Sequence, residues 1–273
     1  MDTAGGGDVD YRTIVYEVTD HIATITLNRP HRVNAFDSVM LEEMEHVWGV
    51  VDADPDVRVA IVAGAGDRGF CTGADLKEYA EAGPGAGKPI AKEWTDGGMR
   101  LTSAQCGVRK PVIAAIHGLC AGGGLHFPAD SDIVICAHDA VFVDPHTRNG
   151  QVSAIETIGL AARMPFGEVL RMVLTGGGYR IDAQRAYQLG LVSEVVPRER
   201  LLEAALDIAR QVASCSTATN IASKEALWGA LDRGLLDAYS HGWRLLVAHH
   251  AHPDSMEGAI AFAEKREPRW AEV

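Results

Sequence analysis

Residues 110–130 read KPVIAAIHGLCAGGGLHFPAD. The apolar run from Pro111 to Ile116 has the length of a strand buried on both faces. It ends at His117 and Gly118. Three consecutive glycines, Gly122 to Gly124, then run into Leu125 and His126, with Pro128 two places on. Glycine loses the most backbone entropy on folding, so a run of three marks a place where the backbone itself must come close to something. Proline is tolerated in the first turn of a helix, which places a helix start at His126. A helix start presents unpaired N–H groups and a partial positive charge. The stretch therefore reads as strand, tight turn and helix, with backbone donors collected at the turn.

The same arrangement occurs once before, in residues 60–76, AIVAGAGDRGFCTGADL. Two such turns can converge their N–H groups on one oxygen and form an oxyanion site. Neither turn is a dinucleotide fingerprint or a phosphate-binding loop, because the glycine spacing and a following Gly-Lys-Ser/Thr are missing. YRTIVYEV (11–18) and HIATITLNRP (21–30) read as a strand pair turning near Thr19 and Asp20. Residues 37–51 carry apolar positions at helical spacing, with Asp37 or Ser38 as the cap. A helix is predicted over 90–107, after the loop-like segment 81–89. SDIVICA (131–137) and AVFVDPH (140–146) add further strands. Beyond about Ala154 helical patterns dominate, with helices predicted over 198–214, 220–240 and 255–266 and one short strand near 191–196. Alternating strands and helices give an α/β fold of stacked βαβ-type units with parallel pairing. The predicted organisation is a disordered tail over 1–10, a core over 11–200 and a helical region over 201–273.

The chain has 273 residues and a net charge of −12, which argues against a nucleic-acid surface. Its five cysteines are scattered and form no C-x-x-C pair, so they read as reduced core thiols of a cytoplasmic protein. The first ten residues lack a basic segment and an apolar segment, so they are not read as a signal peptide. No apolar run approaches the roughly 18 residues of a membrane span.

In order, the chain carries ITLNRPHRVNAF (25–36), GFCTGADLKEY (69–79), KPVIAAIHGLCAGGGL (110–125) and SDIVICAHDAVFVDPH (131–146). VLTGGGYRIDAQRAYQLGLVSEVVP (173–197) and AFAEKREPRW (261–270) follow. This series resembles the crotonase, or enoyl-CoA hydratase/isomerase, superfamily over nearly the whole chain. The resemblance implies a crotonase-like spiral of ββα units with a helical C-terminal trimerisation region, assembled as a homotrimer or dimer of trimers. It implies an acyl-CoA thioester substrate whose enolate is held by two backbone N–H groups, here those of Ala74 and Gly123. It implies coenzyme A contacts from Arg32, Val33, Ala35, Asp75, Leu76, Lys265 and Arg266. No cofactor is expected beyond the coenzyme A of the substrate, and no metal.

Two positions depart from the family pattern. Its hydratases place one glutamate three residues beyond the second oxyanion donor and another after a proline following the next short strand. Here those positions are His126 and His146. Histidine titrates near neutral pH and suits acid–base work. The positive end of a helix favours neutral imidazole at His126. Residues 153–157, SAIET, replace a glycine-rich turn and bring in Glu156, which with Asp144 is a candidate for orienting His146. The expected catalytic set is therefore His126, His146 and Glu156. Hydration of a 2-enoyl-CoA is the default reaction. Hydrolytic C–C cleavage of a β-keto acyl-CoA, or acyl-CoA binding without turnover, are the alternatives. His249, His250 and His252 do not share one helical face and read as solvated.

Overall fold

The computed structural model describes residues 10–82 and 98–271. Strands β1 (Ile14–Thr19) and β2 (Ile22–Leu27) form an antiparallel hairpin. Asp20 and His21 both take positive φ, at 52° and 66°, which a two-residue turn of the primed type requires. Helix α1 (Ser38–Ala53) starts where Asp37 accepts a hydrogen bond from the Met40 N–H at 2.9 Å. Its buried face is Met40, Met44, Val47, Trp48 and Val51. Then come β3 (Val59–Gly64), α2 (Leu76–Ala82), β4 (Val112–Ile116), β5 (Leu119–Ala121) and α3 (His126–Asp130). β6 (Ile133–Ala137), β7 (Val141–Val143), α4 (Ile155–Ala161), α5 (Phe166–Leu174), β8 (Ile181–Asp182), α6 (Ala183–Leu189) and β9 (Glu194–Val196) complete the mixed portion.

The strands form two sheets. The larger runs β1-β2-β3-β4-β6-β9 and is parallel from β2 onward. The smaller runs β5-β7-β8. The chain passes from one sheet to the other and then into a helix: β4 to β5 to α3, and β6 to β7 to α4. The earlier turn follows the same course. Cys71, after β3, bridges to Cys120 of β5, and Phe36 bridges to Ala74. This is a spiral of ββα units, and it stacks the two glycine-bearing turns beside each other.

β3 and β4 are apolar throughout because both faces of the large sheet are covered. Ala60, Val62, Val112, Ala114 and Ile116 point into the main core with α1. Val59, Ile61, Ile113 and Ala115 point to the other side. There they meet Leu201, Ala205, Ala209 and Ala213 of α7 (Leu201–Ala213). Small residues on α7 let its backbone lie close to the sheet. Helices α8 (Thr217–Ala230), α9 (Leu235–His249) and α10 (Asp254–Glu264) follow. None of these three is long and apolar enough to cross a membrane, nor is any other helix among the described residues.

Two predicted helices differ from what is observed. The region predicted as one helix over 220–240 is two, broken over Leu231–Gly234, where Gly234 takes extended backbone ahead of α9. Of the helix predicted over 90–107, residues 98–107 form only a tight turn. Val108 N–H bonds to the Ser103 carbonyl and Gly107 N–H to the Ala104 carbonyl, with Gly107 at φ 72°. That pattern terminates a helix after a single turn. The rest of that predicted helix, most of the loop over 81–89 and residues 1–9 of the predicted tail lie outside the described residues.

Candidate active site

The two turns meet at Gly73 and Gly123. Gly73 has φ 85°, and a Cβ there would stand 2.7 Å from the Gly123 nitrogen. The Phe36 N–H bonds to the Gly73 carbonyl at 2.9 Å, and the Asp75 N–H bonds to the Phe36 carbonyl at 2.9 Å. The Ala74 N–H between them faces away from this ladder. Gly123 lies in a 3-10 turn, Gly122–Leu125, that leads into α3, so its N–H is one of the unpaired donors of a helix start. Among the described residues, neither N–H meets an acceptor.

The glycine run has a packing reason that its sequence does not disclose. A Cβ on Gly123 would lie 2.8 Å from the Phe36 ring, and one on Gly124 would collide with the Cys71 carbonyl. The glycines therefore let one turn settle onto the other, which sets the separation of the two donors.

Arg29, unremarked in the sequence, braces this floor. It pairs with Asp37 at 3.0 Å and Asp75 at 3.1 Å, and it bonds to the Ala35 carbonyl at 2.5 Å. Burial alone would raise the Asp75 carboxyl, but the hydrogen bond and charge of Arg29, aided by Lys77 N–H and Arg32, hold it below its ordinary value. Asn34, fully buried at φ 53°, accepts from Arg29 N–H and donates toward the Ala65, Gly69 and Phe70 carbonyls. It stitches residues 29–36 to the loop after β3. Arg32 and Leu76 are exposed at the rim, whereas Ala35 and Asp75 are buried. Val33 is half-buried at φ 51°.

His126 and His146 converge on Glu156. His126 is 3% exposed, and its Nε2 lies 3.5 Å from Glu156 Oε2. Its Nδ1 faces the Gln105 amide nitrogen at 3.1 Å. His146 Nδ1 lies 2.7 Å from Asp144 Oδ1 and 3.2 Å from Glu156 Oε1. Its other nitrogen, Nε2, stands 3.9 Å from where a Cβ of Gly122 would be, beside the donor turn. Ser153 donates to Asp144, which is fully buried. The arrangement gives an imidazole with one nitrogen held by carboxylates and the other beside the glycine turn.

The charge states follow from these contacts. The Asp144 hydrogen bond raises His146 above its ordinary value despite partial burial, helped by the charges of Asp144 and Glu156. Burial would raise Asp144, but His146 and Ser153 hold it down. Glu156 is raised, chiefly by burial. Burial, and after it the charge of His146, push His126 down to about 4. Burial accounts for neutral His126 without the helix terminus invoked from sequence.

That depression has a sign that can be checked. Above about pH 6.5 His126 is neutral whether folded or unfolded. Below it, the unfolded chain takes up a proton that the folded chain refuses until about pH 4. Stability is therefore lost as pH falls through this window. From pH 7 to pH 5 the native protein is expected to lose about 2 kcal/mol more than His126→Gln, read by denaturant unfolding at both pH values.

Asp144, His146 and Glu156 are, among the described residues, the group of acids and histidine close enough to hold a metal ion, with ligand atoms within 4.8 Å of one another. The histidine atom involved, Nδ1, is the one shared between the two carboxylates. As built, the three satisfy one another through a proton. At the C-terminus, Arg266 is held by Glu257 at 2.6 Å and Glu264 at 2.7 Å, so it closes α10 on itself. Lys265 follows α10 in the left-handed conformation.

The chain matches the family of enoyl-CoA hydratases/isomerases over residues 17–273. It is 34% identical to (E)-benzylidenesuccinyl-CoA hydratase of Thauera aromatica over 93% of its length and 97% of that relative. It is 33% identical to carnitinyl-CoA dehydratase of Proteus mirabilis, covering 91% of this chain and 94% of the relative. Among solved structures, an enoyl-CoA hydratase/isomerase from Mycobacterium paratuberculosis superposes with a TM-score of 0.85 at 35% identity, covering 96% of this chain and 99% of that one. An enoyl-CoA hydratase from Mycobacterium tuberculosis also reaches 0.85, at 29% identity, covering 96% and 99%. On a family match over residues 17–273 and superposition along nearly the whole chain, the protein belongs to the enoyl-CoA hydratase/isomerase family and has the crotonase fold.

Proposed function

We propose that the protein hydrates a 2-enoyl-CoA, or dehydrates the corresponding 3-hydroxyacyl-CoA, with His146 as its base. The observation that carries this reading is the free Nε2 of His146 beside the donor turn, with Nδ1 anchored 2.7 Å from Asp144. The thioester oxygen sits between the N–H groups of Ala74 and Gly123. His146 Nε2 takes a proton from water as the new C–O bond forms at C3. The C2–C3 π electrons move onto the thioester oxygen, and the resulting enolate is stabilised by the two donors. C2 then takes a proton back from the His146 imidazolium, and the enolate collapses to the thioester. His126 and His146 stand at the positions where the family's hydratases carry glutamates, and the pair is unequal: His146 moves the proton while His126 serves Glu156.

Arg32, Val33, Ala35 and Leu76 form the proposed coenzyme A rim, with Asp75 holding Arg29 and Arg32 in place. Lys265 is the proposed phosphate contact at the C-terminus. The exposed apolar side chains Leu227, Leu231, Leu235, Leu236 and Trp243 support a homotrimer or dimer of trimers in which α8 and α9 are covered. Three of the five cysteines are buried and all are free, in keeping with a reducing, cytoplasmic setting.

The Asp144–His146 contact also favours a second reading, in which the same base directs water at a β-keto carbonyl. The C–C bond then breaks, and its electrons form the same enolate. Mass spectrometry of the purified protein with panels of enoyl-CoA, 3-hydroxyacyl-CoA and β-ketoacyl-CoA esters decides between them. Addition or loss of one water with the chain intact supports hydration. A shortened or ring-opened β-keto substrate supports cleavage. Tight binding with no turnover of any ester overturns both.

The pH profile supplies a further prediction. Because Asp144 raises His146, the acidic limb of kcat/KM lies above the ordinary imidazole value. Asp144→Asn removes that charge and is expected to move the limb to lower pH while reducing the plateau rate. A limb that does not move means that His146 is not the titrating base.

A further inference from the structure

Gln105 has no sequence signal and no part in the chemistry above, yet its geometry decides where a proton sits in the site. Its side-chain oxygen accepts from the Leu101 N–H at 2.9 Å and the Thr102 N–H at 3.3 Å. An amide nitrogen cannot take that place, so the orientation of the carboxamide is fixed by the backbone. Its NH₂ group therefore faces His126 Nδ1, at 3.1 Å. That group can only donate, so Nδ1 must be a bare acceptor and the imidazole proton lies on Nε2. Nε2 in turn faces Glu156 Oε2 at 3.5 Å.

The turn that carries Gln105 is itself anchored. The Leu101 carbonyl accepts from the indole N–H of Trp48 at 3.0 Å, and Trp48 is buried in the face of α1. Gly107 and Val108 close the turn behind it. The donor chain thus runs from the rigid backbone through Gln105 and His126 to Glu156. From the other side, His146 Nδ1 approaches Glu156 Oε1 at 3.2 Å. Both imidazoles present hydrogen to one carboxylate, which leaves His146 Nε2 as the bare nitrogen of the site.

We propose that Gln105 is a positioning residue that locks His126 as the Nε2–H tautomer, so that His126 is a permanent donor to Glu156 and never a base. This rests on the reading of His146 as the base. The groups facing His126 are consistent with it: Gln105 from the turn, Glu156 from α4 and His146 from the loop after β7, with Asp130 behind Glu156 and Asp144 behind His146. A proton on Nδ1 would point at the Gln105 NH₂, so the tautomer and the neutral state are held by the same contact.

The test is ¹⁵N NMR of the imidazoles in the full-length protein, with the His126 signal assigned by its absence in His126→Gln. The native protein is expected to show the neutral Nε2–H pattern for His126 throughout pH 5.5 to 8. A neutral Nδ1–H pattern, or titration near the ordinary imidazole value, overturns the proposal without bearing on His146. In Gln105→Glu the second carboxylate oxygen faces Nδ1, so a proton is expected to appear there. With it, kcat is expected to fall on the order of tenfold at nearly unchanged KM, and the pH profile of kcat to shift. Gln105→Met, of similar shape without a donor, is expected to give a mixture of tautomers and an intermediate kcat. Unchanged tautomer in both variants overturns the lock. Changed tautomer with unaltered kcat and pH profile overturns its role in positioning. Failure of the mass-spectrometric assay in the native protein would instead count against the reaction, and the tautomer measurement would still stand on its own.

Discussion

His146→Ala is expected to lower kcat/KM by about 10²–10⁴-fold while leaving binding of the acyl-CoA ester within a few-fold of the native protein. The expectation follows from position. His146 lies on the loop after β7, and one nitrogen is committed to Asp144 and Glu156. The other is directed at the turn that carries Gly123. Truncation removes the proton acceptor but leaves the donor turns, because the packing that sets them comes from Phe36, Gly73 and Cys71. Steady-state kinetics with isothermal titration of the product ester separates the two effects. Equal loss of binding and of turnover would mean that His146 holds the substrate rather than acting on it. His146→Asn sharpens the comparison, because its amide nitrogen takes the place of Nδ1 and keeps a donor toward Asp144 but offers no titrating nitrogen.

The second large effect is expected at a residue with no side chain. Gly73→Ala should reduce kcat by about 10²–10³-fold, the usual consequence of losing one oxyanion donor. The added Cβ meets the Gly123 nitrogen at 2.7 Å and the Ala121 carbonyl at 3.3 Å, and φ 85° is strained for alanine. Relief requires the two turns to separate, which pulls the Ala74 and Gly123 N–H groups off a common oxygen. Gly49→Ala is the control: nothing lies within 4 Å of its Cβ, and it sits inside α1. It should leave kcat unchanged and stabilise the helix by up to about 1 kcal/mol. Loss of activity in the control, or normal kcat in Gly73→Ala with a native circular-dichroism spectrum, would contradict the placement of the donors.

These two expectations differ in how visible they were beforehand. The donor turns were legible in the sequence because they follow strands that are apolar on both faces, and a continuous run such as Val112–Ile116 has few other readings. Helix α1 was legible from its spacing and from Asp37. His126, His146, Asp144 and Glu156 could be singled out by position along the chain. The pairing of His146 with Asp144 and Glu156 was also proposed from sequence; what spacing could not supply was the contact of Glu156 with His126, which forms only after α3, α4 and the loop after β7 are packed together.

Gln105, Arg29 and Asn34 gave no signal at all. Each acts through polar contacts that exist only once the chain is folded: Asn34 with the Ala65, Gly69 and Phe70 carbonyls, Arg29 with Asp75, and Gln105 with His126. A carboxamide or guanidinium carries no periodicity. The helix predicted over 90–107 failed for a local reason. In its described part, residues 98–107, Gly107 in the left-handed conformation and the side chain of Gln105 satisfy the backbone locally and stop the turn. In the C-terminal region, Gly234 broke a pattern whose apolar residues, such as Leu231 and Leu235, continue on both sides of the break.

A crystal structure of the protein with a bound acyl-CoA ester tests the central claim most directly. The thioester oxygen is expected about 2.7–3.1 Å from both the Ala74 and Gly123 nitrogens, with His146 Nε2 facing C3 through one water. A thioester bound elsewhere, or an oxygen that reaches neither N–H group while His146 Nε2 points away from the acyl chain, would contradict it.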